Sequence, residues 1–155
     1  MIEIRPATSN DASAISAFIH ALSPYFTIEP DGRGAEQFFA SISIEAIEGY
    51  IRSTNFAYFI AHNDGQLAGV AALRDGSHVY HLFVASEYHG KGYGRILWEH
   101  LLQHARQEEG LERLTVNSST YAEQMYRHFG FEPTAEKQMM HGLAFIPMQM
   151  LVKAT

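Results

Sequence analysis

Three glycines at alternate positions, Gly90, Gly92 and Gly94, stand between an apolar strand end, Leu82, Phe83 and Val84, and a helical pattern that runs on through Tyr93 and Arg95 to Leu102. Glycine has no Cβ, so such a turn lets backbone N–H groups point inward and come close to a ligand. At the start of a helix those N–H groups and the dipole favour an anion. The chemistry this spacing predicts is the cradling of a pyrophosphate. Two widespread phosphate loops do not account for it. A P-loop needs Lys and then Ser or Thr after its last glycine, and a dinucleotide fingerprint starting at Gly92 needs Gly or Ala where Leu97 stands.

A second set of residues suits proton transfer. His78 and His81 lie on the strand that feeds the glycine turn, and histidine titrates near pH 6.5. Strict alternation puts His78, Tyr80 and Leu82 on one face and Val79, His81 and Phe83 on the other. Either histidine would otherwise be an ordinary hydrogen-bonded strand residue. His100 and His104 share a helix face but lack the Glu of a His-Glu-x-x-His site, so no metal is expected.

The elements that must position these groups follow from periodicity. Met1 to Arg5 alternates as a short strand, and Ser9, Asn10 and Asp11 offer caps to a helix with Ala14, Ile15, Phe18, Ile19 and Leu22 on one face. Pro24 to Gly34 reads as a loop holding Tyr25, Phe26, Glu29, Asp31 and Arg33, before a second helix from about Ala35 to Ile51. Phe56 to Ala61 and Leu67 to Leu73 are expected to pair about Asn63-Asp64-Gly65. His78 to Val84 is the next strand, and the helix after the glycines should reach about Glu109, with Gly110 ending it. Leu114 to Val116 is a strand segment ending at Asn117, Ser118 to Thr120 cap a helix that Gly130 closes, and Phe131 to Met140 and Leu143 to Val152 form a last pair, with Pro147 at a bulge or edge. The order β-α-α-β-β-β-α-β-α-β-β predicts one α+β domain over residues 1–155, about seven strands in a mixed, mostly antiparallel sheet with four helices.

His89-Gly90-Lys91-Gly92-Tyr93-Gly94 resembles the acyl-CoA loop of the GNAT superfamily of N-acetyltransferases, usually Gln/Arg-x-x-Gly-x-Gly/Ala, with His89 in place of the Gln or Arg. Val116-Asn117, Ala122, Tyr126 and Gly130-Phe131 resemble the family's Asn-to-Ala-to-Tyr-to-Gly-Phe segment. The predicted element order is similar to the GNAT fold as well. The resemblance implies acetyl-CoA as cosubstrate, held by Leu82, Phe83, Val84, His89, Gly90, Lys91, Gly92, Tyr93, Gly94, Arg95, Asn117 and Tyr126. Lys91 and Arg95 would meet its phosphates, Asn117 would bind the pantetheine amide or orient a water, and a backbone N–H near Val84 would take the carbonyl oxygen.

Acetyl transfer to an amine needs a neutral amine and an acid for the departing thiolate. A lysine-type ammonium has a pKa of about 10.4, so a base or water chain must first remove a proton. By resemblance Tyr126 is the acid, and His78, whose spacing to the glycines matches a carboxylate of the family, is preferred to His81 as the base. Met139, Met140 and Met148 would line an adaptable acceptor pocket if they do not simply fill the core. Glu29 and Asp31 would receive a cationic substrate if they are not merely solvated.

Composition narrows the remaining classes. A net charge of −6 disfavours a nucleic-acid surface and favours cationic or amine substrates at long range. No apolar run is long enough for a membrane span, and the absence of cysteine excludes disulfides and thiol catalysis and is compatible with the cytoplasm. The expected partner is a small-molecule or peptide amine, with neither nucleic acid nor membrane, and a homodimer stays open. A noncatalytic acyl-CoA sensor is the competing reading; a residue placed to protonate the thiol separates the two.

Overall fold

The apolar alternation of Ile2 and Ile4 builds the first strand, β1 (Ile2–Pro6), of a computed structural model that describes residues 1–152. Asp11 then fixes the entry to the first helix. Its carboxylate accepts from the Thr8 backbone N–H at 2.7 Å and pairs with both terminal nitrogens of Arg5 at 2.8 and 2.9 Å. The Arg5 hydrogen bonds hold this carboxyl well below the usual range. Helix α1 (Ala12–Leu22) buries Ile15, Ile19 and Leu22.

The single helix expected over 35–51 is two, α2 (Glu36–Ser41) and α3 (Ile44–Arg52). Ser43 causes the break, because its hydroxyl accepts from Ala46 N–H at 3.1 Å and caps α3. The buried Ser16 hydroxyl donates to the Ile42 carbonyl at 2.7 Å, so the interrupted backbone keeps a partner.

Strands β2 (Phe56–Asn63) and β3 (Gln66–Arg74) form the expected hairpin, with Asp64 and Gly65 both at positive φ (52° and 81°). After β4 (His78–Val84) comes α4 (Tyr93–Ala105), which stops short of Glu109; turns lead on to Gly110. Then follow β5 (Arg113–Ser119) and α5 (Glu123–Phe129). Ser118 and Ser119 belong to the strand, and the Ser119 hydroxyl accepts from Ala122 N–H at 3.1 Å.

The strand expected over 131–140 is also split, into β6 (Glu132–Pro133) and β7 (Gln138–Met140), both against β8 (Leu143–Leu151). Pro147 explains the gap. It pairs with Asn117 of β5 in an unbroken register, so there is no bulge. Its carbonyl accepts from Thr134 on the other side, where its ring nitrogen has no hydrogen to offer a further strand residue.

Among the described residues the eight strands are ordered β1-β2-β3-β4-β5-β8-β6, with β7 also on β8, and every pairing is antiparallel except β4 with β5. This is the expected mixed sheet, with helices on both faces. One core joins α4 and α5 to the sheet through Leu97, Trp98, Leu101, Tyr126 and Phe131; the other joins α1 to α3 through Ile15, Ile19, Ile42, Ile47 and Ile60. Gly69 lets α4 sit close, since a Cβ there would lie 2.6 Å from Leu97 Cδ1 and 2.8 Å from the Phe83 carbonyl oxygen. No helix among the described residues is long and apolar enough to cross a membrane.

Candidate active site

The centre of the sheet departs from regular geometry twice. Ala72 pairs with His81 but Leu73 pairs with Val79, so Tyr80 is one residue in excess and β4 carries a β-bulge. The bulge overturns the alternation expected from sequence. Val79, Leu82 and Val84 pack toward α4 and α5, whereas Tyr80 and Phe83 pack toward α1 to α3, where His81 meets Tyr58. His78 stands beside Thr115, whose neighbours Leu114 and Val116 enter the α4 core. His78 and His81 therefore share one face instead of opposing each other.

The second departure is that β4 and β5 pair only at His78–Thr115 and Val79–Val116, then separate. Backbone groups that β4 turns toward β5 beyond Val79 have no partner strand there. A cleft of about 880 Å³ fills the gap, a size suited to a ligand. Leu82, Phe83, Val84, Asn117 and Tyr126 line it, as do His78, His81 and the glycine turn.

The two histidines are held neutral. Burial, and then the positive charge of Arg74, push His78 down to about 4, and its Nδ1 lies 2.8 Å from the Thr115 hydroxyl. Burial pushes His81 down to about 3. Its Nδ1 is 2.7 Å from the Tyr58 hydroxyl, so the direction of that bond decides whether Nε2 offers the cleft a proton or a lone pair.

Tyr126 is 5% exposed and packs edge-on against Phe129 and Phe131. Burial pushes its phenol up, so it stays protonated at neutral pH. No buried side-chain oxygen is left without a partner among the described residues. The Tyr126 hydroxyl, which makes no hydrogen bond there, must therefore reach the cleft.

In the glycine turn the backbone does what the sequence predicts, with Gly90 and Gly92 at φ +77° and +84°. Gly92 is the N-cap of α4, and no side chain caps the amides that follow, which leaves them free for an anion. A Cβ at Gly90 or Gly92 would meet open space, so conformation is what requires glycine there. Gly94 has another reason: a Cβ would lie 2.9 Å from Met125 Sδ, so it is the contact of α4 with α5 that needs a small residue. Tyr93 stacks on Tyr88 at 4.7 Å and lines the cleft.

His89 is placed as a brace. Its Nε2 donates to the Val84 carbonyl at 2.8 Å, and its Nδ1 lies 3.0 Å from the Tyr121 hydroxyl, so both ring nitrogens are engaged without a phosphate. Arg95 lines the cleft with its guanidinium over Phe129, while Lys91 is exposed and stands outside the cleft lining.

The acidic and methionine alternatives named for the acceptor side both fall outside the cleft lining. Glu29 pairs with Arg33 and Asp31 accepts from the Arg33 backbone, and neither lines the cleft. Met148 is core, and Met139 and Met140 are exposed on β7 at the sheet edge, because the split strand turns them to solvent. Aromatic rings form the wall instead: Phe26 meets Phe38 at 5.1 Å and Phe83 at 5.4 Å. Tyr25, between His89 and Tyr121, stands at the mouth. The one sequence signal for this wall was the adjacent Tyr25-Phe26 pair in a loop, where such rings have no core of their own. Among the described residues no group of three or more His, Cys, Asp or Glu is arranged to hold a metal ion.

No curated protein matches the sequence. Solved structures do. A GCN5-related N-acetyltransferase from Rhodopseudomonas palustris superposes with a TM-score of 0.77 at 24% identity, covering 97% of this chain and 95% of that one. PaiA N-acetyltransferase from Thermoplasma acidophilum, solved in complex with coenzyme A, gives 0.78 at 19% identity over 98% and 99%. The ribosomal-protein-S18-alanine N-acetyltransferase of Escherichia coli gives 0.67 at 20% identity over 100% and 96%. These likenesses establish the fold. The model of the acetyltransferase (GNAT) domain matches residues 26–152, and with that match the chain belongs to the GNAT acetyltransferase family and is an acyltransferase.

Proposed function

We propose that this enzyme transfers an acetyl group from acetyl-CoA directly to a primary amine of a small molecule or peptide, both substrates being bound together. The observation that carries the reading is the parted β4–β5 pair, with a glycine-capped helix at one end and the hydroxyl of Tyr126 in its wall. The thioester's phosphates would meet the first amides of α4 and Arg95, and Asn117 would meet the pantetheine arm. Unpaired backbone N–H groups of β4 would donate to the carbonyl oxygen as negative charge grows on it.

In the reaction the amine nitrogen bonds to the carbonyl carbon and the carbon–sulfur bond breaks. The sulfur takes the phenolic proton of Tyr126, and the nitrogen's surplus proton leaves through a histidine or water. His78, already bonded to Thr115, and His81, with Nε2 toward the cleft, both suit that exit. Neither is basic enough to strip a lysine-type ammonium efficiently, because its pKa of about 10.4 lies about six above that of His78 and about seven above that of His81. The amine therefore reacts from its neutral form.

The test is acetyl-CoA-dependent thiol release across a panel of amines, beside calorimetry with CoA. Turnover of at least one amine, with mass spectrometry locating the acetyl group on nitrogen, is the expected outcome. CoA binding without turnover of any amine would turn the reading toward a sensor.

A further inference from the structure

The protein is acidic as a whole, yet its cleft is not. Apart from histidines, the charged side chains that line it among the described residues are Arg74 and Arg95, both cations, and no Asp or Glu lines it. Arg74 closes the end near His78, its guanidinium 5.4 Å from the centre of the Tyr80 ring. Asp75 lies 3.9 Å from Arg74, but it faces another depression and does not line the cleft. Glu29 and Asp31 are taken up by Arg33.

The walls on the acceptor side are aromatic. Phe38, Phe26 and Phe83 form a continuous row, with centroids 5.1 and 5.4 Å apart. Tyr80 joins the row through His81, whose ring lies 4.5 Å from it and 5.4 Å from Phe83, and is held by its hydroxyl bond to Tyr50 at 2.9 Å, which in turn donates to the Ser41 carbonyl at 2.8 Å. Phe145 and Leu143 of β8 also line the cleft. The rings are fixed before any ligand arrives, so a flat apolar body loses little by binding to them. A second ammonium would enter an apolar slot that offers no carboxylate and would face a guanidinium. Burying an unpaired charge in that way is strongly unfavourable.

Resting on the acetyl-transfer reading, we propose that the acceptor is an aromatic monoamine: one primary amine on a flat apolar body, without a second positive charge. Polyamines and lysine-rich peptides are the classes this cleft rejects. The neutral histidines agree, since no carboxylate lines the site to pair with an ammonium ion. The net charge of −6 acts only at long range, where salt screens it, and does not choose among amines once they are inside.

The experiment is equilibrium binding to the protein–CoA complex, with tyramine and spermidine as probes, so that it does not depend on turnover. Tyramine is expected to bind at least tenfold more tightly than spermidine. Phe38→Ala, checked by its melting curve, should weaken tyramine roughly tenfold to a hundredfold through lost ring contact and leave spermidine unchanged. Spermidine binding as tightly as tyramine, or no tyramine binding to the wild-type complex, would overturn the inference whatever the variant does. Thiol release is then measured with the same two amines. Tight tyramine binding without acetylation supports the ligand class and sinks the transfer reading instead, so the two fail separately.

Discussion

Replacing Tyr126 by phenylalanine removes one oxygen and leaves the ring among Phe129, Phe131 and Trp98, its neighbours in the α4 core. The hydroxyl bonds no protein group among the described residues, so no internal hydrogen bond is lost with it. A typical intramolecular bond contributes about 0.5–1.5 kcal/mol, and with none broken the variant should melt within a degree or two of wild type. CoA affinity should change little. Turnover should not survive in the same way, because general acid catalysis accounts for about 10²–10⁴ in rate, or about 2.7–5.4 kcal/mol of barrier. Since burial raises the Tyr126 pKa, the wild-type rate should show no alkaline fall up to about pH 10 from loss of this proton. The assay is steady-state thiol release with an active amine, alongside calorimetry with CoA and a melting curve. A variant with undiminished kcat, under conditions where chemistry limits the rate, would show that the thiolate leaves without this phenol. Loss of CoA affinity in parallel with rate would make Tyr126 a packing residue.

Three further outcomes are expected. His81 has a folded pKa of about 3 against 6.5 unfolded, so below pH 6.5 the unfolded chain binds the extra proton and stability falls by about 1.4 kcal/mol per pH unit until about pH 3. His81→Gln keeps a partner for Tyr58 but cannot titrate, and denaturant melts at pH 4.5 and 6.5 should show its stability falling about 2.3 kcal/mol less than wild type's; equal falls refute the assignment. Gly142→Ala would place a Cβ 2.5 Å from the Gly34 carbonyl carbon at φ +77°, forcing apart a contact that Ile28 N–H seals on the Gly142 carbonyl at 2.9 Å. It should cost about 1–3 kcal/mol and raise the amine KM while CoA affinity holds, a split that calorimetry and kinetics read directly. Gly92→Ala meets open space but must hold φ near +84°, so it should lose about 1–2 kcal/mol of stability, whereas Gly92→Asp should in addition weaken CoA binding by setting a carboxylate beside phosphate; calorimetry on both variants tests this.

What the sequence made legible was local. The bounds of β4, the Asp64-Gly65 turn and the helix start after Gly92 each rest on residues whose own backbone preferences decide them. The break at Ser43 was missed because Ile42 and Ile47 continue an apolar spacing that a single helix would also show, and only the Ser16 contact with the Ile42 carbonyl makes two helices the better solution. The bulge at Tyr80 carries no glycine or proline to mark it, so His-Val-Tyr-His-Leu-Phe-Val reads as plain alternation. The aromatic wall was harder still. Phe26, Phe38 and Phe83 are far apart in sequence, and their meeting depends on how α2 and the loop before it settle against the bulged strand.

That bulge joins the two halves of the site. A regular β4 would carry His81 on the same side as Val79, into the α4 core, and would turn Leu82 toward Tyr58. One extra residue reverses this beyond Tyr80: Leu82 and Val84 close the core beneath the glycine turn, while His81 and Phe83 face the acceptor wall. The same irregularity bends the strand where its pairing with β5 ends at Val79, so the opening of the cleft and the sorting of its lining share one cause. Straightening β4 with Tyr80 kept in the ladder would therefore move more than one ring. It would exchange the faces of His81, Leu82, Phe83 and Val84 together, burying an imidazole in the α4 core and exposing aliphatic side chains to the acceptor. A site built in this way tolerates variation in its loops, but not a change of register in the strand at its centre.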